Sequence, residues 1–284
     1  MNTEKRGTGA LKSPLDVRTF SYRPTGAGGR GGERWTPEDI EDQHRVGICT
    51  AISMTMRARK HYGVKFSADF QYMMQKRLYD SQSPIGWGEG SSAFHSLKVG
   101  KNIGFLPESE WTHTTENDRK RNYFEYKTML KNIPDEEVER LVKIAGKYKL
   151  EAFAKIPNTA DAKHIAIDEG GAIISRFVIG NKWWTTPVDP LTYSSGALSG
   201  HLVNESNYAG LSFRIPNSWG KDWNGDGSAY YLWNQYQSTE SWQVWFEDVE
   251  LPEEIKDQIE SRDSIVGKIL DYLQKIIVLV AKLK

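Results

Sequence analysis

The chain has 284 residues, of which 38% are hydrophobic, so it can bury a full core as one large domain or as a domain with appendages. Its 37 Lys and Arg residues balance 37 Asp and Glu residues, which argues against nucleic acid or an anionic membrane as a partner. The single cysteine excludes an internal disulfide and indicates a reducing compartment, or at least a fold that needs no disulfides. The N-terminus lacks the apolar region of a signal peptide. The sequence also contains no run of about 18 apolar residues, the length needed to span a membrane. These features predict a location in the cytoplasm or on a particle assembled there.

Composition divides the chain into three parts. Residues 1–33 are polar, contain Pro14 and Pro24, and end in a glycine-rich stretch, which predicts a flexible extension. Its function is open between a leader and a strap, or short pro-segment, across a cleft. Residues 34–250 are predicted to form the globular domain. Residues 251–284 repeat apolar positions at spacings of four and three, which predicts an amphipathic heptad helix.

The globular part begins with helical patterns and continues with short strands. Helices are predicted directly after Cys49, after the N-cap Ser67, over the stretch AFHSLKVGKNIG and within residues 121–148. The later segments KLEAFAKI, GAIISRFVIG, HLVNESNY and LSFRIPNSW are rich in β-branched or aromatic residues and are bounded by turn residues, as in antiparallel strands. The predicted class is therefore α+β, with a helical lobe facing a sheet lobe and a substrate groove between them.

Cys49 lies in the stretch QHRVGICTAIS, immediately before a helix-forming run. A sulfur at a helix N-terminus is close to unpaired backbone N–H groups and to the positive end of the macrodipole, which favour the thiolate. The competing interpretation is a buried cysteine that acts as a small apolar residue. A catalytic interpretation requires a base elsewhere in the chain.

Of the six histidines, His201 has the most suggestive position. It follows Gly200 at the start of a predicted strand, and Asn217 follows 16 residues later in the stretch PNSWGKDWNGDG. An amide can orient an imidazole that serves as the base for a nucleophile. Trp219 and Trp223 could exclude water from that hydrogen bond and so strengthen it. The remaining five histidines, His44, His61, His95, His113 and His164, are expected to be structural or exposed.

The motifs Gln43-x5-Cys49, Gly200-His201 and Asn217-Ser218-Trp219-Gly220 resemble the papain-like cysteine peptidases (family C1). The resemblance extends over roughly residues 35–250. It is strongest to bacterial and phage members that lack disulfides and carry GxCTA around the nucleophile. Where the eukaryotic members have Trp, this chain has Thr50.

The resemblance implies a role for each motif residue. Cys49 would be the nucleophile, His201 its base in a thiolate–imidazolium pair, and Asn217 the residue that orients His201. The Gln43 amide and the Cys49 backbone N–H would form the oxyanion hole. Substrate contacts are implied at the following positions: Gly90, Gly200, Leu202 and Trp219. Neither a metal nor a cofactor is implied.

Two other features have open interpretations. Asp222, Asn224, Asp226 and Gly227 match the start of an EF-hand loop, but Trp233 occupies the position of the bidentate Glu, so calcium binding is not expected. The helix over residues 252–284 could pack on its own domain, mediate homo-oligomerisation or bind a partner helix. Contact with a membrane surface is the less favoured option.

The sequence therefore predicts a cysteine endopeptidase that acts on polypeptides through an acyl-enzyme. One alternative is a catalytically silent papain-like fold that serves as a structural or binding module, for example in a phage particle. Another is a different acyl transfer at the same site.

Overall fold

The structure, a computed structural model, describes residues 8–13, 20–21, 32–82, 85–180, 183, 190–192, 196 and 198–248, together with positions 253, 256–258, 260, 261 and 265. The heptad pattern over 252–284 lies almost entirely outside the described residues, and those few C-terminal positions are helical. Within the described part of the chain, none of the helices combines the length and the apolar content needed to cross a membrane.

Five helices build the first lobe: α1 (Cys49–Tyr62), α2 (Ala68–Leu78), α3 (Ala93–Asn102), α4 (Tyr123–Lys131) and α5 (Asp135–Ala145). Their boundaries follow local chemistry. Gly63 ends α1 in the left-handed conformation, with φ of 68°, and Ser67 caps α2 by accepting a hydrogen bond from the Phe70 N–H. The predicted helical stretch 121–148 is two helices, because the segment through Pro134 interrupts it.

The second lobe, as far as it is described, consists of sheets and the helix α6 (Ala160–Gly170). A five-stranded sheet has the order β2-β4-β10-β5-β6, from Phe20–Ser21, Leu150–Lys155, Glu240–Phe246, Ile173–Ile179 and Ser199–Glu205. A three-stranded antiparallel sheet has the order β7-β8-β9, from Asn207–Ala209, Ser212–Pro216 and Ser228–Leu232. In the larger sheet β5, β6, β10 and β4 pair antiparallel, and β2 joins β4 in parallel. The predicted α+β class, with a helical and a sheet lobe, is confirmed.

The two lobes meet where α1 packs on β6. The Ser53 hydroxyl donates to the Leu202 carbonyl over 2.7 Å, and the Asn204 side-chain amide donates to the Ser53 carbonyl over 2.9 Å. Cys49 and Leu202 lie in one apolar cluster at this contact, and both are fully buried. Because the contact joins the first turns of α1 to β6, it fixes the start of the helix against the start of the strand.

The polar end of β6 is buried rather than exposed. Glu205 pairs with Lys163 of α6, and both side chains are inaccessible to solvent. The Tyr231 hydroxyl donates to the other Glu205 oxygen over 2.7 Å, and Lys163 also donates to Ser238 over 2.8 Å. A buried ion pair requires such additional partners to offset its desolvation. The polar residues at this end of β6 are therefore part of the core of this lobe.

Candidate active site

Cys49 is the first residue of α1, and its thiol is fully buried. Backbone amides of Leu202, Thr50, Gly9 and Ala10 lie within hydrogen-bonding reach of the sulfur and favour its anionic form. Burial outweighs these amides and raises the pKa of the thiol to about 11. The contact with Leu202 places the sulfur beside the residue that follows His201 on β6.

His201 and Asn217 form the predicted hydrogen bond, with 2.7 Å between Nε2 and Oδ1. The same Asn217 oxygen accepts from the Ser218 backbone N–H over 2.8 Å, which identifies it as an acceptor. Nε2 of His201 therefore carries the proton, and Nδ1 is the basic nitrogen of the neutral ring. Nδ1 is buried and, within the described residues, has no hydrogen-bond partner. Burial lowers the pKa of His201 to about 4, although the bond to Asn217 acts in the opposite direction.

Tryptophans enclose this hydrogen bond. The Trp219 ring stacks on the His201 ring at a centroid distance of 4.7 Å, and Trp183 meets His201 edge-on at 6.0 Å. Trp223 contacts the rings of both Trp219 and Trp183. Such packing keeps water from the imidazole–amide bond. Trp219 is fully buried, and its ring contacts those of His201, Trp183 and Trp223.

Gln43 is connected to the same group of residues. Its side-chain oxygen accepts from the Ser218 hydroxyl over 2.5 Å, and its backbone N–H donates to the Ser218 carbonyl over 2.9 Å. One hydrogen of its side-chain amide is donated to the Val46 carbonyl over 3.1 Å. Hydrogen bonds therefore run from Gln43 through Ser218 and Asn217 to His201.

Residues 8–13, which we call the strap, lie across Cys49. Its strand β1 (Ala10–Leu11) pairs in parallel with β3 (Ser91–Ser92). Gly9 donates its N–H to the Gly200 carbonyl and accepts from the Ser91 N–H, both over 3.0 Å. Arg176 of β5 donates to the Ala10 carbonyl over 2.8 Å. Main-chain hydrogen bonds thus hold the strap on both sides of the cleft, to Ser91 and to Gly200.

The residues implied as substrate contacts lie around the strap. Gly200 provides the carbonyl that binds Gly9, and a side chain at this position would collide with the Ala10 carbonyl. Leu202 packs in the apolar cluster with Cys49 and Ala10. Gly90 directs its own N–H and carbonyl inward, to Tyr72 and Lys76, so it is the adjacent Ser91 N–H that contacts the strap.

The other residues singled out in the sequence make contacts with side chains of the fold. Thr50 is buried and donates to the Gln75 side chain over 2.8 Å. Asp226 of the EF-hand-like stretch pairs with Arg214 and accepts hydrogen bonds from Ser228. The remaining histidines bond a carboxylate or stack on a ring: His44 with Glu116, His61 with Asp248, His95 with Asp80, His113 with Glu137 and His164 with Tyr208. Within the described residues, no group of His, Cys, Asp and Glu side chains could hold a metal ion.

Sequence reasoning missed several residues of the site. Trp183, Ser218 and Arg176 lie in it, together with the buried pair Tyr72 and Lys76 that contacts Gly90. Ser218 lies within the motif Asn217-Ser218-Trp219-Gly220, which was the one available signal, although no role was predicted for it. The others are distant in sequence from every motif, and only tertiary contacts bring them to the cleft.

The fold is similar to those of known cysteine proteases. Xylellain, a cysteine protease from Xylella fastidiosa, superposes with a TM-score of 0.70 and 23% identity, covering 85% of this chain and 97% of that one. ProCathepsin B S9 from Trypanosoma congolense gives 0.59 and 13%, covering 85% and 87%. A Carica candamarcensis cysteine protease in complex with E-64 gives 0.50 and 15%, covering 72% and 92%. No family model and no curated protein matches the sequence. The chain therefore has the papain-like fold.

Proposed function

We propose that the protein is a cysteine endopeptidase in which Cys49, His201 and Asn217 act as nucleophile, base and orienting residue. The observation that carries this proposal is the buried hydrogen bond between His201 Nε2 and Asn217 Oδ1. Among the described residues it leaves Nδ1 without a hydrogen-bond partner, on the strand that contacts the Cys49 sulfur. The papain-like fold supports it. The catalytically silent alternative has no comparable support, since Cys49, His201, Asn217 and Gln43 are all present.

The proposed reaction begins when the Cys49 thiol gives its proton to Nδ1 of His201. The sulfur then attacks the carbonyl carbon of a peptide bond. The resulting oxyanion accepts hydrogen bonds from the Cys49 backbone N–H and from the Gln43 side-chain amide, which Val46 and Ser218 hold in place. His201 protonates the leaving amine, and an acyl-enzyme forms. Water, deprotonated by His201, attacks the thioester and releases Cys49.

The proposal requires the strap to leave before a substrate enters. In the covered site, burial raises the pKa of Cys49 and lowers that of His201, so the thiol and the neutral imidazole are the favoured forms. Proton transfer between them would create two buried charges, which is costly without solvation. Departure of the strap admits water and so makes the thiolate–imidazolium pair accessible. The strap is thus a proposed control on access to the thiol.

The test combines covalent labelling with peptide hydrolysis. We expect E-64, the compound bound in the Carica structure, to label Cys49 in the folded protein and to abolish hydrolysis of an unstructured polypeptide. Cys49→Ser should abolish both the labelling by E-64 and the hydrolysis of the polypeptide. His201→Ala should lower kcat by about 100-fold or more, because it removes the general base.

A matched histidine variant in the sheet lobe provides the control. His164→Ala removes a ring that stacks on Tyr208. This variant should still be labelled by E-64 and should still hydrolyse the polypeptide. Intact hydrolysis by the folded His201→Ala protein would refute the proposed base. Absence of labelling and hydrolysis after release of the strap would favour the silent module instead.

A further inference from the structure

The peptide group between Gly90 and Ser91 faces two environments. Its N–H, from Ser91, points to the cleft and donates to the Gly9 carbonyl of the strap over 3.0 Å. Its carbonyl, from Gly90, points inward and accepts from the Lys76 ammonium. In a trans peptide these two groups point in opposite directions, so fixing the carbonyl also fixes the direction of the N–H. The cleft-facing donor is therefore oriented from behind by a charged side chain.

Lys76 is itself held in the helical lobe. Its side chain is fully buried and lies 2.8 Å from Asp80, which in turn bonds His95 Nδ1 over 2.6 Å. The other side of Gly90 is also secured, since its N–H donates to the Tyr72 hydroxyl over 3.1 Å. Tyr72 is fully buried and bonds Tyr123, whose hydroxyl reaches the Gly88 carbonyl over 2.9 Å. Two buried side chains of α2 thus hold consecutive peptide groups of one short segment.

This arrangement is more than a loop anchor. Gly90 has a φ of +86°, and a Cβ there would lie 2.1 Å from the Gly9 carbonyl oxygen, so the segment comes close to whatever chain occupies the cleft. A hydrogen bond from a charged donor to the carbonyl also polarises the peptide group and strengthens its N–H as a donor. Because Lys76 is buried, solvent does not screen this effect.

We propose that Lys76 and Tyr72 are positioning residues that hold the Ser91 N–H as a docking point for a main-chain carbonyl of the polypeptide in the cleft. The strap is the occupant seen in the structure, through Gly9. If the proposed peptidase function holds, a substrate chain uses the same donor after the strap has left. The recognised chemistry is that of an extended peptide backbone, independent of its side chains.

Amide hydrogen exchange of the full-length protein tests the docking point without any need for catalysis. In Lys76→Met, the Ser91 and Gly9 amides should exchange about tenfold faster, because a charge-assisted hydrogen bond is lost. In Tyr72→Phe a rise of about threefold is expected, because the lost hydrogen bond is neutral. The amides of α1 serve as the internal reference and should keep their rates.

Two control variants remove the same kinds of side-chain group, a buried tyrosine hydroxyl and a buried lysine, at other positions. Tyr126→Phe deletes another buried tyrosine hydroxyl of the same lobe, which bonds Asp69, and Lys163→Met deletes another fully buried, ion-paired lysine. Neither variant should raise the ratio of the Ser91 rate to the α1 rates, since any loss of global stability accelerates the α1 amides at least as much. Wild-type exchange of Ser91 in both Lys76→Met and Tyr72→Phe, or equal acceleration in the controls, would overturn the proposal.

A second measurement examines substrate docking with the strap displaced. Gly9→Val places a side chain against Gly90, where even a Cβ would lie 2.7 Å from its Cα. In this background we expect Lys76→Met to raise KM for a polypeptide about tenfold at nearly constant kcat, and Tyr126→Phe to change neither. A reduced kcat at constant KM would contradict a docking role. If Gly9→Val shows no hydrolysis at all, the proposed function fails, and the exchange measurement alone decides whether the docking point exists.

Discussion

Burial shifts the pKa values of Cys49 and His201 in opposite directions. It raises the pKa of the thiol to about 11 and lowers that of the imidazole to about 4. Both shifts favour the uncharged form, because a charge in this enclosed site has little solvation. At neutral pH the covered site therefore contains a thiol and a neutral imidazole, and the backbone amides around the sulfur do not reverse this preference.

The His201 shift predicts a loss of stability on the acid side. Its pKa falls from 6.5 to about 4 on folding, so between these values the unfolded chain binds more protons and the free energy of unfolding decreases as the pH falls. The full effect is on the order of 3 kcal/mol. We expect His201→Ala to flatten the wild-type slope between about pH 6.5 and 4 in urea denaturation. His113→Gln, which removes a helical-lobe histidine, should preserve it, and an unchanged slope in His201→Ala would contradict the prediction.

Asn217 provides a second test on the residue scale. Its side-chain oxygen determines which His201 nitrogen carries the proton, so Asn217→Ala should lower kcat about 10- to 100-fold and leave KM nearly unchanged. Asn158→Ala removes another amide that bonds in the sheet lobe, to Ser238, and is the matched control. Steady-state hydrolysis of a polypeptide measures both variants. A proportional rise in KM for Asn217→Ala would assign the amide to binding instead.

At the scale of elements, the strap covers Cys49 and, under the proposed function, controls access to the site. It adds β1 to β3 and bonds Gly200 on the opposite side, using main-chain groups that an incoming polypeptide would also need. Arg176 and Glu240 secure it further, through the Ala10 carbonyl and the Ser13 hydroxyl. Under the proposed function, the strap and a substrate therefore compete for the same donors and acceptors.

Loosening the strap should expose the thiol. Gly9→Val introduces a side chain where the strap and the Gly90 backbone are in contact, and overpacking of this kind displaces the weaker element. We expect the folded variant to react with iodoacetamide at Cys49 about tenfold faster or more. Lys12→Ala, at an exposed strap position, should react at the wild-type rate. Equal rates for Gly9→Val and wild type would mean that the strap does not limit access.

For the whole molecule, the sequence was most informative where the chemistry is local. The N-cap at Ser67, the helix that follows Cys49 and the hydrogen bond between His201 and Asn217 were predicted, and the structure contains them. Contacts between residues that are distant in the chain could not be predicted from the sequence. No local pattern around Lys163 or Glu205 predicts that these two residues, 42 positions apart, form an ion pair. Likewise, no local pattern predicts that Lys76 reaches the Gly90 carbonyl. Such contacts depend on how helices pack on the loops and strands of the fold, which local pattern does not encode.

The Lys163–Glu205 pair leads to a prediction for the stability of the sheet lobe. Both side chains are fully buried, so Lys163→Met leaves an uncompensated carboxylate in the core and should cost about 3–5 kcal/mol of the free energy of unfolding. Adding Glu205→Leu removes that charge and should restore part of the loss, which a double-mutant cycle in urea quantifies. The exposed pair Lys65–Glu108, with side chains 46% and 39% accessible, is the matched control, and Lys65→Met should cost less than about 1 kcal/mol. Equal costs for the two lysine variants, or a double variant less stable than Lys163→Met alone, would show that Lys163 contributes to the core by packing and not by neutralising Glu205.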